Sequence, residues 1–154
     1  MTKLVLLSLL ALTASRSGCS AFDRILGPVP AVEVTISASD TTVSPSQPVT
    51  LTVKATNRGK SRVLLGVGSS TCQVNAIVLV NSNWEVAQTM QFCTADIVEQ
   101  WLNPGETRSE SWPWLGAIIK PGATEALPPG RYLIKGRSDN FVGRRAIAIE
   151  VVEE

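Results

Sequence analysis

A chain of 154 residues, 44% of them hydrophobic and 18% charged, is long enough to form one domain around its own core. Its formal charge of +1, with cationic residues mostly dispersed along the chain, argues against a nucleic-acid partner. The two local basic clusters, Arg58-Lys60-Arg62 and Arg144-Arg145, lie among turn residues and read as solvated. Histidine is absent, which removes Ser-His-Asp, Cys-His and His-metal chemistry.

Residues 1–21 read as a signal peptide. Lys3 supplies the positive start, Leu4 to Leu12 form an apolar run broken only by Ser8, and small residues follow from Thr13. The run is too short to span a bilayer, which takes about 20 residues. Ser17-Gly18-Cys19 resembles a lipoprotein cleavage box, which would make Cys19 a lipidated first residue and the only membrane attachment. Arg16 stands where lipoproteins carry an apolar residue, and the alternative is ordinary cleavage near Ala21. Residues 22–30 read as a short tether, and 31–154 as a single domain.

Within that domain, Val32 to Ser37 and Val49 to Ala55 alternate apolar and polar residues with period two, the mark of half-buried strands. Ser44-Pro45-Ser46-Gln47-Pro48 is a turn, because its prolines fix φ and remove ladder donors. Asn57-Arg58-Gly59-Lys60 is a second turn, expected to join the strand before it to Arg62–Val67 as a hairpin-like pair. Asn75 to Val80 and Trp84 to Met90 predict another hairpin about Asn81-Ser82-Asn83, since Asn tolerates left-handed backbone. From Phe92 the chain reads as irregular, leading into a strand that ends near Leu102.

Cys72 and Cys93 form an even pair once Cys19 is set aside, and a disulfide is the economical reading for an exported chain. Closing a loop of about 20 residues contributes on the order of 3 kcal/mol in the chain-entropy model. Two reduced, buried thiols are the alternative, and two thiolates without further Cys or His make a poor metal site. Thr107 to Leu115 alternates until Pro113, which predicts an edge strand or a bulge. Arg131–Gly136 and Ala146–Val152 supply the last strands. Seven to nine strands at this spacing predict an all-β sandwich.

Three features recur in the C-terminal third: the turn Leu102-Asn103-Pro104-Gly105-Glu106, the strand bearing Trp112 and Trp114, and Pro128-Pro129-Gly130-Arg131-Tyr132-Leu133-Ile134. Together they resemble the BsuPI family of proteinase-inhibitor-like domains, over roughly Val32 to Val152. The resemblance implies an immunoglobulin-like antiparallel β-sandwich without catalytic machinery, and a founding activity of serine-proteinase inhibition. Under it, Pro104, Gly105, Pro129 and Gly130 are turn residues and Trp112 a fold feature. Tyr132 adds apolar area and a hydroxyl that can bond the backbone of a neighbouring loop.

No catalytic constellation emerges. No Ser-x-x-Lys helix start is visible, and the carboxylate pairs Asp96/Glu99 and Glu106/Glu110 read as surface charge near turns. No cofactor or metal is expected. Trp84, Trp101, Trp112 and Trp114 could stack on sugar rings in a carbohydrate-binding module, whereas period two places Trp112 and Trp114 on one strand face, as core anchors. Two functions remain. One is a protein-binding domain that inhibits a serine proteinase through an exposed loop, with 67–72 and 116–129 as the candidates. The other is an interaction or scaffold module of the cell envelope without inhibitory activity.

Overall fold

The computed structural model describes residues 31–87 and 93–153. The leader, the tether, Cys19 and the end of the strand expected over Trp84–Met90 therefore lie wholly or partly outside the described residues. Among the described residues, twelve strands run in chain order: β1 (Val32–Ala38), β2 (Thr42–Val43), β3 (Val49–Asn57), β4 (Val63–Gly68), β5 (Asn75–Val80), β6 (Asn83–Ala87), β7 (Val98–Leu102), β8 (Thr107–Trp114), β9 (Ala117–Lys120), β10 (Ala123–Ala126), β11 (Gly130–Arg137) and β12 (Ile147–Val151). One sheet has the order β1-β3-β8, the other β10-β9-β6-β5-β11-β12-β2, and β4 pairs with β7 as a separate ribbon. The fold is all-β, as the periodicity predicts.

The alternation on β3 shows why the two large sheets pack. Val49, Leu51, Val53 and Ala55 are buried, while Thr50, Thr52, Lys54 and Thr56 point outward. The outward threonines pair with β8, Thr52 with Ser111 at 2.8 Å and Thr56 with Thr107 at 2.9 Å. Such cross-strand pairs contribute a few tenths of a kcal/mol up to about 1 each. Opposite the inward face of β3 lie Ile134, Ile149, Val78 and Ala76 from the second sheet, with Trp112, Trp114, Leu65, Leu102 and Ile118 completing the core. Burying each large apolar side chain stabilises the fold by about 1.5–3 kcal/mol. Pro113 faces Thr50 on β8, an edge strand, where a missing N–H is tolerated.

The chain changes sheets between β1 and β2. Asp40 Oδ1 accepts the amides of Thr41 at 2.6 Å and Thr42 at 3.2 Å, bending the strand so that β2 runs parallel to β12. Ser44 and Gln47 close the Pro45 turn with reciprocal backbone bonds of 3.2 and 3.1 Å. The β5–β6 hairpin forms about Asn81 and Ser82, both left-handed at φ 47° and 68°.

Two expectations are corrected. β3 does not pair with β4: it lies between β1 and β8, while β4 crosses to β7. The two hydrogen-bonding sides of β3 are taken by β1, just before it in sequence, and by β8, more than fifty residues on, which the local turn signal at 57–60 cannot reveal. The stretch 116–129, read as one long loop, contains the hairpin β9–β10, which extends the larger sheet beyond β6. That hairpin and the two-residue β2 raise the strand count to twelve.

One polar side chain ties the end of the sandwich together. Asn57 is fully buried. Its amide donates to Ser61 O at 2.8 Å and Leu102 O at 3.0 Å, and its Oδ1 accepts the Gly59 amide at 2.9 Å. Its backbone N–H donates to Glu106 O at 3.0 Å and its carbonyl accepts from Gly105 at 2.9 Å. Asn57→Ala keeps the backbone bonds but strands the Ser61 and Leu102 carbonyls, while the Gly59 amide retains Ala31 O at 3.2 Å. At 1–3 kcal/mol per buried unsatisfied group, less where water enters, the expected loss is about 3 kcal/mol in urea unfolding. A loss below about 1 kcal/mol refutes this account of the junction.

Candidate functional site

The disulfide joins Cys72 to Cys93, with Cα atoms 5.4 Å apart across a separation of 21 residues. It fastens the segment after β4 to the segment before β7, so both ends of the β4–β7 ribbon are closed: one by Cys72–Cys93, the other by Asn57. Around the disulfide is a network of small hydroxyls. Ser69 Oγ lies 3.1 Å from Thr71 Oγ1 and 2.9 Å from Thr94 Oγ1, and the Thr94 amide donates to Thr71 Oγ1 at 3.0 Å. Asp96 accepts from the Thr94 hydroxyl and from the Ser70 amide. These bonds, led by Thr94, hold the Asp96 carboxyl below its ordinary range. A carboxylate stabilised in this way is a weak base.

The ribbon carries apolar side chains into solvent. Ile97 is 81% exposed, Val67 51% and Val98 38%. A bulge between Leu64 and Gly66 turns Leu65 into the core, and Gly66 lies against Asp139 so closely that a Cβ would come within 2.7 Å of its carboxylate. Asp139 accepts the Val67 amide at 3.2 Å, and Asn140 donates its side-chain amide to Leu64 O at 3.1 Å. The β11–β12 connection thus buttresses the back of the ribbon. On β7, Arg62 stacks 4.5 Å above the Trp101 ring, whose Nε1 donates to Glu99 at 2.9 Å.

The remaining residues singled out in the sequence are distributed elsewhere. Trp112 and Trp114 are buried, Trp114 Nε1 donating to Ala117 O at 2.7 Å, while Trp112 Nε1 has no partner among the described residues. Trp84 sits on the outer face of the larger sheet beneath Lys135, and Trp101 on the ribbon, so the four indoles form no common platform. Pro104 and Gly105 occupy the centre of a turn closed by Glu106 N–H to Asn103 O at 3.0 Å. Gly105 has φ 78°, which a type II turn with proline before it requires. Pro129 and Gly130 lead into β11, where the Tyr132 hydroxyl donates to Pro128 O at 2.8 Å. A tyrosine bonded back a few residues upstream at this corner is a recurring feature of immunoglobulin-like sandwiches.

The carboxylate pairs are engaged by their own surroundings. Glu106 accepts from Asn103 and pairs with Arg108 at 3.1 Å, and Glu99 holds Trp101. Glu110 shares the inward face of β8 with Trp112 and accepts the Gln73 amide at 2.6 Å. Among the described residues, no group of three His, Cys, Asp or Glu side chains could hold a metal ion. Sequence reading missed Asn57 and the Ser69-Thr71-Thr94-Asp96 network. The Asn-x-Gly spacing of 57–59 was an available sign of an Asx turn, whereas the hydroxyl network spans the disulfide and has no local signature. The disulfide itself points to a non-reducing compartment, and no helix among the described residues is long and apolar enough to cross a membrane.

Burial pushes the Glu110 carboxyl above its ordinary range, against the opposing pull of the Gln73 and Val74 amides. The folded state therefore binds the proton more tightly than the unfolded chain, so this group's contribution is full below the ordinary glutamate range and is lost as pH rises through the raised value. Glu110→Gln keeps the acceptor and removes the charge. The variant is expected to match the parent in acid and to exceed its Tm at neutral pH. Parallel pH–Tm curves for the two proteins contradict this.

No family model matches the chain, and no curated protein matches it. Among solved structures it is similar to a β-glucosidase, EmGH1, of Erythrobacter marinus, with 12% identity and a TM-score of 0.45, over 79% of this chain and 15% of that one. A β-glucosidase of Listeria innocua in complex with glucose gives 11% identity and a TM-score of 0.43, over 78% and 16%. The β-D-glucoside glucohydrolase of Trichoderma reesei gives 15% and 0.39, over 79% and 18%. The chain spans less than a fifth of these enzymes, and likenesses this distant assign it no activity.

Proposed function

We propose that the chain is an exported, non-catalytic domain that binds a protein partner through the β4–β7 ribbon and the segments joined by Cys72–Cys93. The observation that carries this reading is the exposure of Ile97, Val67 and Val98 on a ribbon fixed at both ends. Apolar side chains held in place by a disulfide lose little entropy on binding, so more of their burial appears as affinity. Engaged carboxylates and the lack of histidine favour binding over catalysis. The leader and the disulfide favour an exported location, with Cys19 as the point of envelope attachment.

Inhibition of a serine proteinase is the more specific form of this reading. The resemblance to BsuPI domains motivates it, and Ile97 supports it: a protruding apolar residue close to a disulfide could enter a protease cleft. The other form is an envelope interaction module that uses the same ribbon without inhibiting anything.

Titration of the oxidised protein against several serine proteinases, followed by quantitative capture from envelope extracts, tests both forms. Ile97→Asp is expected to weaken the inhibition or the capture at least tenfold, because it places a charge in a desolvated contact, while leaving Tm within about 1 °C. Equal capture by parent and variant rules out the ribbon as the contact surface. Absence of both inhibition and specific capture by the folded parent rejects the binding function.

A further inference from the structure

The fold brings together two basic clusters that are almost ninety residues apart in sequence. Arg58, from the turn after β3, and Arg144 and Arg145, from the approach to β12, line one groove of about 610 Å³ beside β1. Its apolar wall is made by Val34 and Ile36 of β1 together with Val142 and Ile147. Val142 is more than half exposed. Among the described residues, the lining carries three arginines and one carboxylate, Glu33, which is bonded to Arg58 Nε at 2.9 Å. Arginine guanidinium groups match phosphate oxygens bidentately.

The chain enters the domain beside this groove. Ala31 O accepts the amides of Arg58 at 2.7 Å and Gly59 at 3.2 Å, which fixes the first residue of the domain next to the Arg58 side of the groove. Residues 20–30 number eleven, so even fully extended they reach no more than about 40 Å from Cys19. A domain attached at Cys19 keeps its basic groove within that distance of the bilayer. Cationic side chains near an anionic leaflet add membrane affinity that depends on salt, and an apolar wall beside them suits the glycerol and upper acyl region.

We infer that this groove docks anionic phospholipid headgroups, with Arg58, Arg144 and Arg145 on the phosphate and Val142 and Ile36 against the apolar region below it. The inference rests on the exported, tethered reading of the chain, and it concerns a surface distinct from the β4–β7 ribbon. Attachment at Cys19 would supply proximity, and the groove would orient the domain so that the ribbon's position relative to the membrane is set.

The test uses the exported Cys19→Ser chain, in which lipidation cannot occur and binding reports the groove alone. Sedimentation with phosphatidylcholine vesicles containing phosphatidylglycerol is compared with sedimentation with phosphatidylcholine alone. Binding is expected to the anionic vesicles only and to fall steeply with added salt. The double variant Arg144→Glu, Arg145→Glu should lose at least tenfold. Arg131→Glu, at the far end of β11 and away from the groove, should lose less than twofold. Equal binding to both vesicle types, equal losses in the two variants, or inorganic phosphate binding without vesicle binding would each overturn the proposal. Separately, mass spectrometry of the exported parent chain reports whether Cys19 carries lipid, so failure of the groove and failure of the anchor are distinguishable.

Discussion

The geometry of the loop end depends on the buried side chain of Asn57. A strand that ends inside a sandwich must hand its chain to a loop without leaving buried amides or carbonyls unpaired, and here one residue meets that demand for three segments. Its Oδ1 shapes the turn through Gly59, its Nδ2 holds Ser61 and Leu102, and its backbone holds Gly105 and Glu106. The entry to β4, the exit of β7 and the Pro104–Gly105 turn are thereby fixed relative to the end of β3. An aspartate here would keep the acceptor and lose both donors. Leucine would strand the Ser61 and Leu102 carbonyls and leave Gly59 with Ala31 O alone.

From that junction the β4–β7 ribbon projects with a second restraint at its other end. The disulfide lies beyond Gly68 on one strand and before Val98 on the other, so the ribbon is held at both extremities and buttressed from behind by Asp139 and Asn140. Between these restraints, Leu65 and Leu102 anchor the ribbon in the core. Ile97 and Val67 contribute almost nothing to that core, yet they lie on a segment fastened at both ends. Rigid, exposed apolar side chains suit recognition, because the entropy of ordering has already been met in folding.

The parts of this architecture that were legible in the sequence are those whose physics is local. Period-two alternation identified β1, β3 and β12 because each has one buried face. Asn81-Ser82 announced its hairpin through left-handed backbone, and Pro113 announced an edge. Pairing was not legible where partners are remote: β3 lies against β8, more than fifty residues away, and β4 crosses to β7 instead of folding back on β3. The Pro and Gly content of 116–129 suggested a loop, yet Pro121-Gly122 is the turn of a short hairpin and Gly116 the entry to it, both glycines with positive φ. The cysteine pair was legible from parity and compartment. The hydroxyls gathered around it were not, because Thr94 meets Ser69 and Thr71 across more than twenty residues of sequence.

An open two-sheet sandwich must also avoid pairing through its free edges, and each edge here is handled differently. On β8, Pro113 removes a donor, and the charged Arg108 and the partly exposed Glu110 flank the rest. β10 has four residues, all exposed, with Glu125 among them, and β2 has only two residues. Both are too short to template another strand. β1 is the exception: seven residues long, alternating and apolar on one face, it has among the described residues a strand partner on one side only. Gly143 covers part of it by approaching Val34 O so closely that a Cβ would lie 2.8 Å away, and the arginines of the adjoining groove surround what remains. Cationic side chains beside an edge strand repel a second copy of the same edge while leaving the groove open to an anion. One device therefore keeps the edge from self-pairing and gives the groove its preference for negative charge.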